Sequence, residues 1–155
     1  MPQMNKGGKY VFGLSLIRED GSILFPEQAI EEYRIAEEGR VYLFTGSRST
    51  GGFCVTRKGL LLPSRLGNIL EETPALRDCT ANREEFVRYK GRSYCWTDIT
   101  ANGQIVLSAE AMDFLNIKPG MPLLSIRSSN IAFTMGAKGP LLEKAKRYNG
   151  IIPQF

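Results

Sequence analysis

The sequence predicts a mainly β fold with short helices, in which two related halves pack around a pseudo-twofold axis into one unit. Three observations carry this. The chain contains an internal duplication, each copy opens with a tight-turn signal between short apolar runs, and neither copy has enough apolar surface to fold alone. The duplication appears when "EDGSILFPEQAIEEYRIAEEGRVYLF" is set beside "ITANGQIVLSAEAMDFLNIKPGMPLL". Gly21 falls on Gly103, Ile23 on Ile105, Ala29 on Ala111, Tyr33 on Leu115 and Ile35 on Ile117. Further on, "GGFCVTRKGLLL" aligns with "IAFTMGAKGPLL", so that Phe53 meets Phe133 and Lys58-Gly59 meets Lys138-Gly139. The offset drifts from 82 to 81 to 80, so two single-residue gaps suffice.

Each copy follows one plan. Strand one is expected at Tyr10–Ile17 and Ser93–Ile99. It leads into Asp20-Gly21 or Asn102-Gly103, pairs that tolerate positive φ and so favour a hairpin. Strand two follows at Ser22–Phe25 and Gln104–Leu107, where continuous apolar residues predict burial on both faces. A short helix comes next, with Pro26 at its start in the first copy. In the second, Ser108 is placed to cap it through its hydroxyl. Ile30 and Tyr33, like Met112 and Leu115, are three apart and face inward. Glu37-Glu38-Gly39 or Lys118-Pro119-Gly120 then turns the chain, the Pro-Gly pair suiting a type II turn. Strand three follows, and strand four ends near Val55 in the first copy and Met135 in the second. A second helix closes each copy, with apolar stripes at Leu62, Leu66, Ile69 and Leu70, and at Leu141, Leu142, Ala145 and Tyr148. The resulting boundaries are repeat 1 over 9–72, a polar connector over 73–91, and repeat 2 over 92–150.

Composition excludes several chemistries. The 155 residues include no histidine, which removes Ser-His-Asp triads, Cys-His dyads and histidine zinc sites. No CxxC pair, GxGxxG or GxxxxGK[ST] occurs. The chain is therefore expected not to be an enzyme and to need no cofactor and no metal. Cys54, Cys79 and Cys95 are odd in number and far apart in sequence, which fits reduced thiols in a cytoplasmic protein. No apolar run approaches the ~20 residues that would span a membrane, and no secretory signal is visible.

The net charge of +4 is unevenly spread. Residues 1–40 carry five basic and seven acidic side chains, 46–97 nine and five, and 98–155 six and four. Two stretches could bind anions or bases. "TGSRSTGG" (Thr45–Gly52) reads as a hairpin tip or an anion-binding nest. "REEFVRYKGRSYCW" (Arg83–Trp96) interleaves cations and aromatics, as a core hairpin or a stacking surface for single strands would.

Gly21-Ser22-Ile23-Leu24-Phe25-Pro26 in the first copy, and Leu115-Asn116-Ile117-Lys118-Pro119-Gly120 in the second, resemble the SpoVT/AbrB swapped-hairpin family. Two such domains in one chain, each with a trailing helix, are similar to the MraZ branch. The resemblance implies two swapped-hairpin repeats forming one interleaved β-barrel, and a DNA-binding transcription regulator. Double-stranded DNA is then the expected partner, contacted through Lys9, Arg18, Ser22, Arg92 and Gln104, with further self-association into a homo-oligomer. A second reading stays open. Glu31, Glu32 and Asp113 stand on the first helices, where acidic groups would repel phosphates. The same scaffold could instead have lost its DNA contacts and bind a small molecule or a protein.

Overall fold

The computed structural model describes residues 10–147 and 152–155. The fold is mainly β with short helices. Strands β1 (Val11–Leu16) and β2 (Ser22–Leu24) precede helix α1 (Glu27–Tyr33), then β3 (Arg40–Thr45) and β4 (Phe53–Thr56). Three short helices follow: α2 (Lys58–Leu61), α3 (Asn68–Glu72) and α4 (Pro74–Arg77). The second half adds β5 (Val87–Tyr89), β6 (Arg92–Asp98) and β7 (Gln104–Val106). Helix α5 (Ala109–Leu115), β8 (Pro122–Arg127), β9 (Phe133–Gly136) and α6 (Pro140–Lys146) complete it.

Local chemistry explains most of these elements. Gly21 and Gly103 hold φ of 84° and 89°, and a Cβ at Gly21 would be driven into the Leu107 carbonyl oxygen. Ser108 caps α5, its hydroxyl accepting the Ala111 N–H at 3.1 Å. Pro26 occupies the corresponding place before α1 and offers no side-chain cap. The N–H of Met121 donates to the Lys118 carbonyl at 3.2 Å with Gly120 at φ 92°, which closes the expected Pro-Gly turn.

The strands pair between halves more than within them. A seven-stranded antiparallel sheet runs β1-β8-β9-β4-β3-β6-β5, and β2 pairs with β7 in a separate ribbon. Strand one of each half therefore lies against strand three of the other: β1 on β8, with Leu14 opposite Leu124, and β6 on β3, with Cys95 opposite Leu43. The β2–β7 ladder is centred on Ile23 opposite Ile105, and the β4–β9 ladder on Cys54 opposite Thr134. Both centres pair residues that correspond in the internal duplication. Exchanging the halves maps these ladders onto themselves.

Neither sheet is closed, so the described strands do not form the barrel that the resemblance implies. At one edge, residues 153–155 lie along β1: the N–H groups of Leu14 and Leu16 donate to the carbonyls of Pro153 and Phe155 at 2.8 and 3.0 Å. At the other edge, β5 carries exposed Arg88 and is followed by exposed Lys90, charges that discourage further strand pairing.

The two faces of the sheet are covered differently. Alternation sends Val41, Leu43, Phe53, Val55, Leu123, Phe133 and Met135 inward, against the β2–β7 ribbon, α1 and α5. Phe133 sits among Phe12, Phe25 and Tyr33, with ring centroids 5.2–6.4 Å away. On the other face, Tyr42, Phe44 and Tyr94 are packed by Leu61, Ile69, Leu70 and Leu76 from α2–α4. Val11, Leu124 and Ile126 are packed separately by Leu142 and Ala145 of α6. These two covers do not meet over the middle of the sheet.

One sequence expectation is corrected here. Leu62 and Leu66 do not line an apolar stripe; they are 38% and 42% exposed. Pro63 lacks the N–H that a continuing helix needs, so α2 stops at Leu61 and the chain restarts at α3. The stripe that packs is Leu61, Ile69, Leu70 and Leu76. Of the α6 stripe, Tyr148 lies outside the described residues.

Candidate functional site

The structure sorts the expected contact residues into two regions. Lys9 lies outside the described residues. Arg18 and Gln104 come together at the turns, where the Arg18 guanidinium donates to Gln104 Oε1 at 3.2 Å. Ser22 stands beside them at the end of the β2–β7 ribbon but is only 2% exposed. Its N–H donates to Asp20 Oδ1 at 2.9 Å, and hydrogen bonds from Ser22 hold the Asp20 carboxyl below its ordinary value. Arg92 begins β6 at the far end from Asp98, about 20 Å along the strand.

The turn region is acidic. A cavity of about 540 Å³ beside it is flanked by Glu19, Asp20, Glu84 and Asp98, with Arg83 the one cation lining it. Arg83 pairs with Asp98 at 3.1 Å and with Glu84 at 3.7 Å. Glu84 Oε1 also accepts the Ser108 N–H at 2.7 Å, so this carboxylate is committed to the start of α5. Arg18 and Gln104 thus meet, but among carboxylates.

The basic region lies elsewhere. Arg65, Lys90 and Arg92 surround a small hollow with Tyr89 and Tyr94, and no carboxylate lines it. Arg65 and Lys90 are exposed, as is Arg88 on the other face of the β5–β6 hairpin. The "REEFVRYKGRSYCW" stretch therefore takes the hairpin form, the first of the two readings. Tyr94 is buried in the core of the hairpin, while its cations are in water.

Arg92 also borders a second cavity, of about 490 Å³, in the gap between the two helical covers. Cys54 and Thr134, the central pair of the β4–β9 ladder, line it. Phe44, Ile126 and Ala132 add apolar wall. Thr134 Oγ1 lies 3.4 Å from Cys54 Sγ and is hydrogen-bonded to Ser128 Oγ. Burial pushes the Cys54 thiol up, which hydrogen bonds from Thr134 and the Arg92 charge partly counter. Ser47, Ser49 and Thr50 supply a hydroxyl rim from the β3–β4 hairpin tip. Their side chains bond one another at 3.0 Å, and the Thr50 carbonyl accepts the N–H groups of Ala137 and Lys138. The "TGSRSTGG" segment is thus a hairpin tip fastened to the other half of the chain.

Sequence reasoning did not pick out Phe44, Arg127, Ser128 or Thr134 as neighbours. The signal that could have found them is the alignment of Cys54 with Thr134 at the offset of 80. A position aligned with its own pairing partner marks the local twofold. Of the carboxylates on and after α1, Glu32 pairs with Arg127, and Glu37 and Glu38 pair with Arg57 at 3.5 and 2.8 Å. No group of three or more metal-ligating side chains occurs among the described residues. No helix there is long and apolar enough to cross a membrane. No protein-family model matches the chain, and no curated protein matches it.

Proposed function

We propose that the chain is a tandem swapped-hairpin protein of the SpoVT/AbrB type and acts as a DNA-binding transcriptional regulator. The observation that supports this reading is the crosswise pairing, in which strand one of each half completes the sheet of the other. This is the interleaving that the sequence resemblance implies. Arg65, Arg88 and Lys90 are exposed around the β5–β6 hairpin and supply phosphate contacts without opposing carboxylates in the hollow beside them. A two-stranded ribbon of this kind fits a DNA major groove.

The test is a gel shift against genomic fragments at several salt concentrations. The expected result is binding that weakens steeply with salt. Arg65→Ala and Lys90→Ala should each lower the slope of log K against log salt by about one. Absence of binding at low salt removes the reading.

A second reading is favoured by the carboxylates around the turns and by the cavity between the halves. The scaffold would then serve as a binding module for a small molecule. Retained ligand seen by native mass spectrometry, with no DNA shift at any salt, would select it.

A further inference from the structure

We propose that the cavity over the Cys54–Thr134 pair binds a small amphipathic carboxylate, an organic acid whose charge is taken by Arg92 and whose apolar body lies along Phe44, Ile126 and Ala132. This deepens the second reading above, yet holds equally if the protein binds DNA, as a site for a regulating ligand. Its volume, about 490 Å³, falls within the range of ordinary ligand pockets. Its composition has their usual form, an apolar floor with few, placed polar groups. The site also has a structural origin. The α2–α4 cover ends on Tyr42, Phe44 and Tyr94, and the α6 cover ends on Ile126. The cavity opens between these covers, with Cys54 at the edge of the α2–α4 cluster and Leu141 of α6 on the opposite side.

Charge selects the ligand class. No carboxylate lines the cavity, whereas Arg92 and Arg127 both do. Arg127 is already engaged by Glu32, and its guanidinium lies over the Tyr10 ring. Arg92 forms no ion pair with an Asp or Glu among the described residues. Its guanidinium lies 5.3 Å from the centre of the Phe44 ring, and the exposed side chain lines the edge of the cavity. One uncommitted guanidinium presents a planar fork that matches one carboxylate. A phosphate dianion would call on a second cation, and Arg127 is spent. The rim hydroxyls of Ser47, Ser49 and Thr50 complete the polar side. The site is not duplicated: Tyr10, whose carbonyl accepts the Arg127 N–H, holds the place before β1 that corresponds to Arg92 in β6.

The probes are 2-naphthoate and its uncharged counterpart 2-naphthamide, titrated into the full chain by calorimetry and followed by amide NMR shifts. The expected result is that the acid binds about tenfold or more tightly than the amide, the factor for one charge-assisted hydrogen-bonded pair. The Cys54, Ser128 and Thr134 amides should move with it. Arg92→Met should bind both probes alike, and Arg92→Lys should keep part of the preference. Ser128→Trp, at an exposed rim position, should block both. The proposal is overturned if the acid fails to bind at millimolar concentration, if it binds no better than the amide, or if its preference survives in Arg92→Met. Ser128→Trp keeps it testable should the Arg92 variants unfold. None of these readouts involves DNA, so failure here and failure of the gel shift are separate results.

Discussion

Tyr33 shows how single side chains join the halves. It closes α1, packs its ring against Phe12 and Phe133, and donates its hydroxyl to the Ser129 carbonyl at 2.6 Å. Burial pushes its phenol up to about 12, with the Glu32 charge adding to the effect. A pKa raised on folding means that the unfolded chain loses the proton first. The associated stability is therefore whole below the unfolded value of 10 and is lost as pH rises through the window from about 10 to 12. Urea unfolding at pH 9 and at pH 11.5 should show this, with Tyr33→Phe losing less stability across the interval than the wild type. An equal loss in both would mean that Tyr33 is not the group responsible. The inward direction of Tyr33 was legible from its spacing with Ile30. Its bond to Ser129 was not, because the partner lies 96 residues away.

Elements follow their local chemistry closely where turns and caps set them. The turn glycines, the Pro-Gly turn and the Ser108 cap stand where the sequence placed them, since each depends on a few adjacent residues. The hairpins expected at Gly21 and Gly103 do not form, because β2 and β7 pair with each other rather than with β1 and β6. The helix after β4 differs as well: apolar spacing suggested one helix from near Pro63 through Leu70, whereas the chain runs through turns there and resumes as α3 at Asn68. The β5 strand lay within a stretch read as connector, and its three residues carry too short an alternation to stand out. The duplication makes one test especially direct. Ser108 caps α5 while Pro26 leaves α1 without a side-chain cap. Ser108→Ala should cost about 1 kcal/mol of stability, measured by denaturant midpoint at constant slope. No change would show that the Glu84 contact to the Ser108 N–H holds the helix start by itself.

At the scale of the molecule, the halves complete one another. β1 finds its strand partner in β8, β6 finds one in β3, and the inner core draws Phe12, Phe25 and Tyr33 together with Phe133. Residues 1–75 and 76–155 expressed separately should each fail to form a folded monomer. Mixed, they should form a 1:1 complex with native circular dichroism. Size-exclusion chromatography with light scattering would decide, and a folded monomer from either fragment would contradict the crosswise sheet. The intact chain should unfold in one transition, because the largest core cluster spans both halves.

The sequence by itself determined the duplicated plan, the β-rich class, the turns and the exclusion of histidine chemistry. Each of these is written in neighbouring residues or in composition. The tertiary structure alone decided three further matters. It left the sheet open, with residues 153–155 along one edge. It put Arg18 among carboxylates and gathered Arg65, Lys90 and Arg92 away from them. It also left the gap over Cys54 and Thr134. All three depend on how distant segments converge, and side-chain periodicity gives the face on which a residue lies without giving what meets it there.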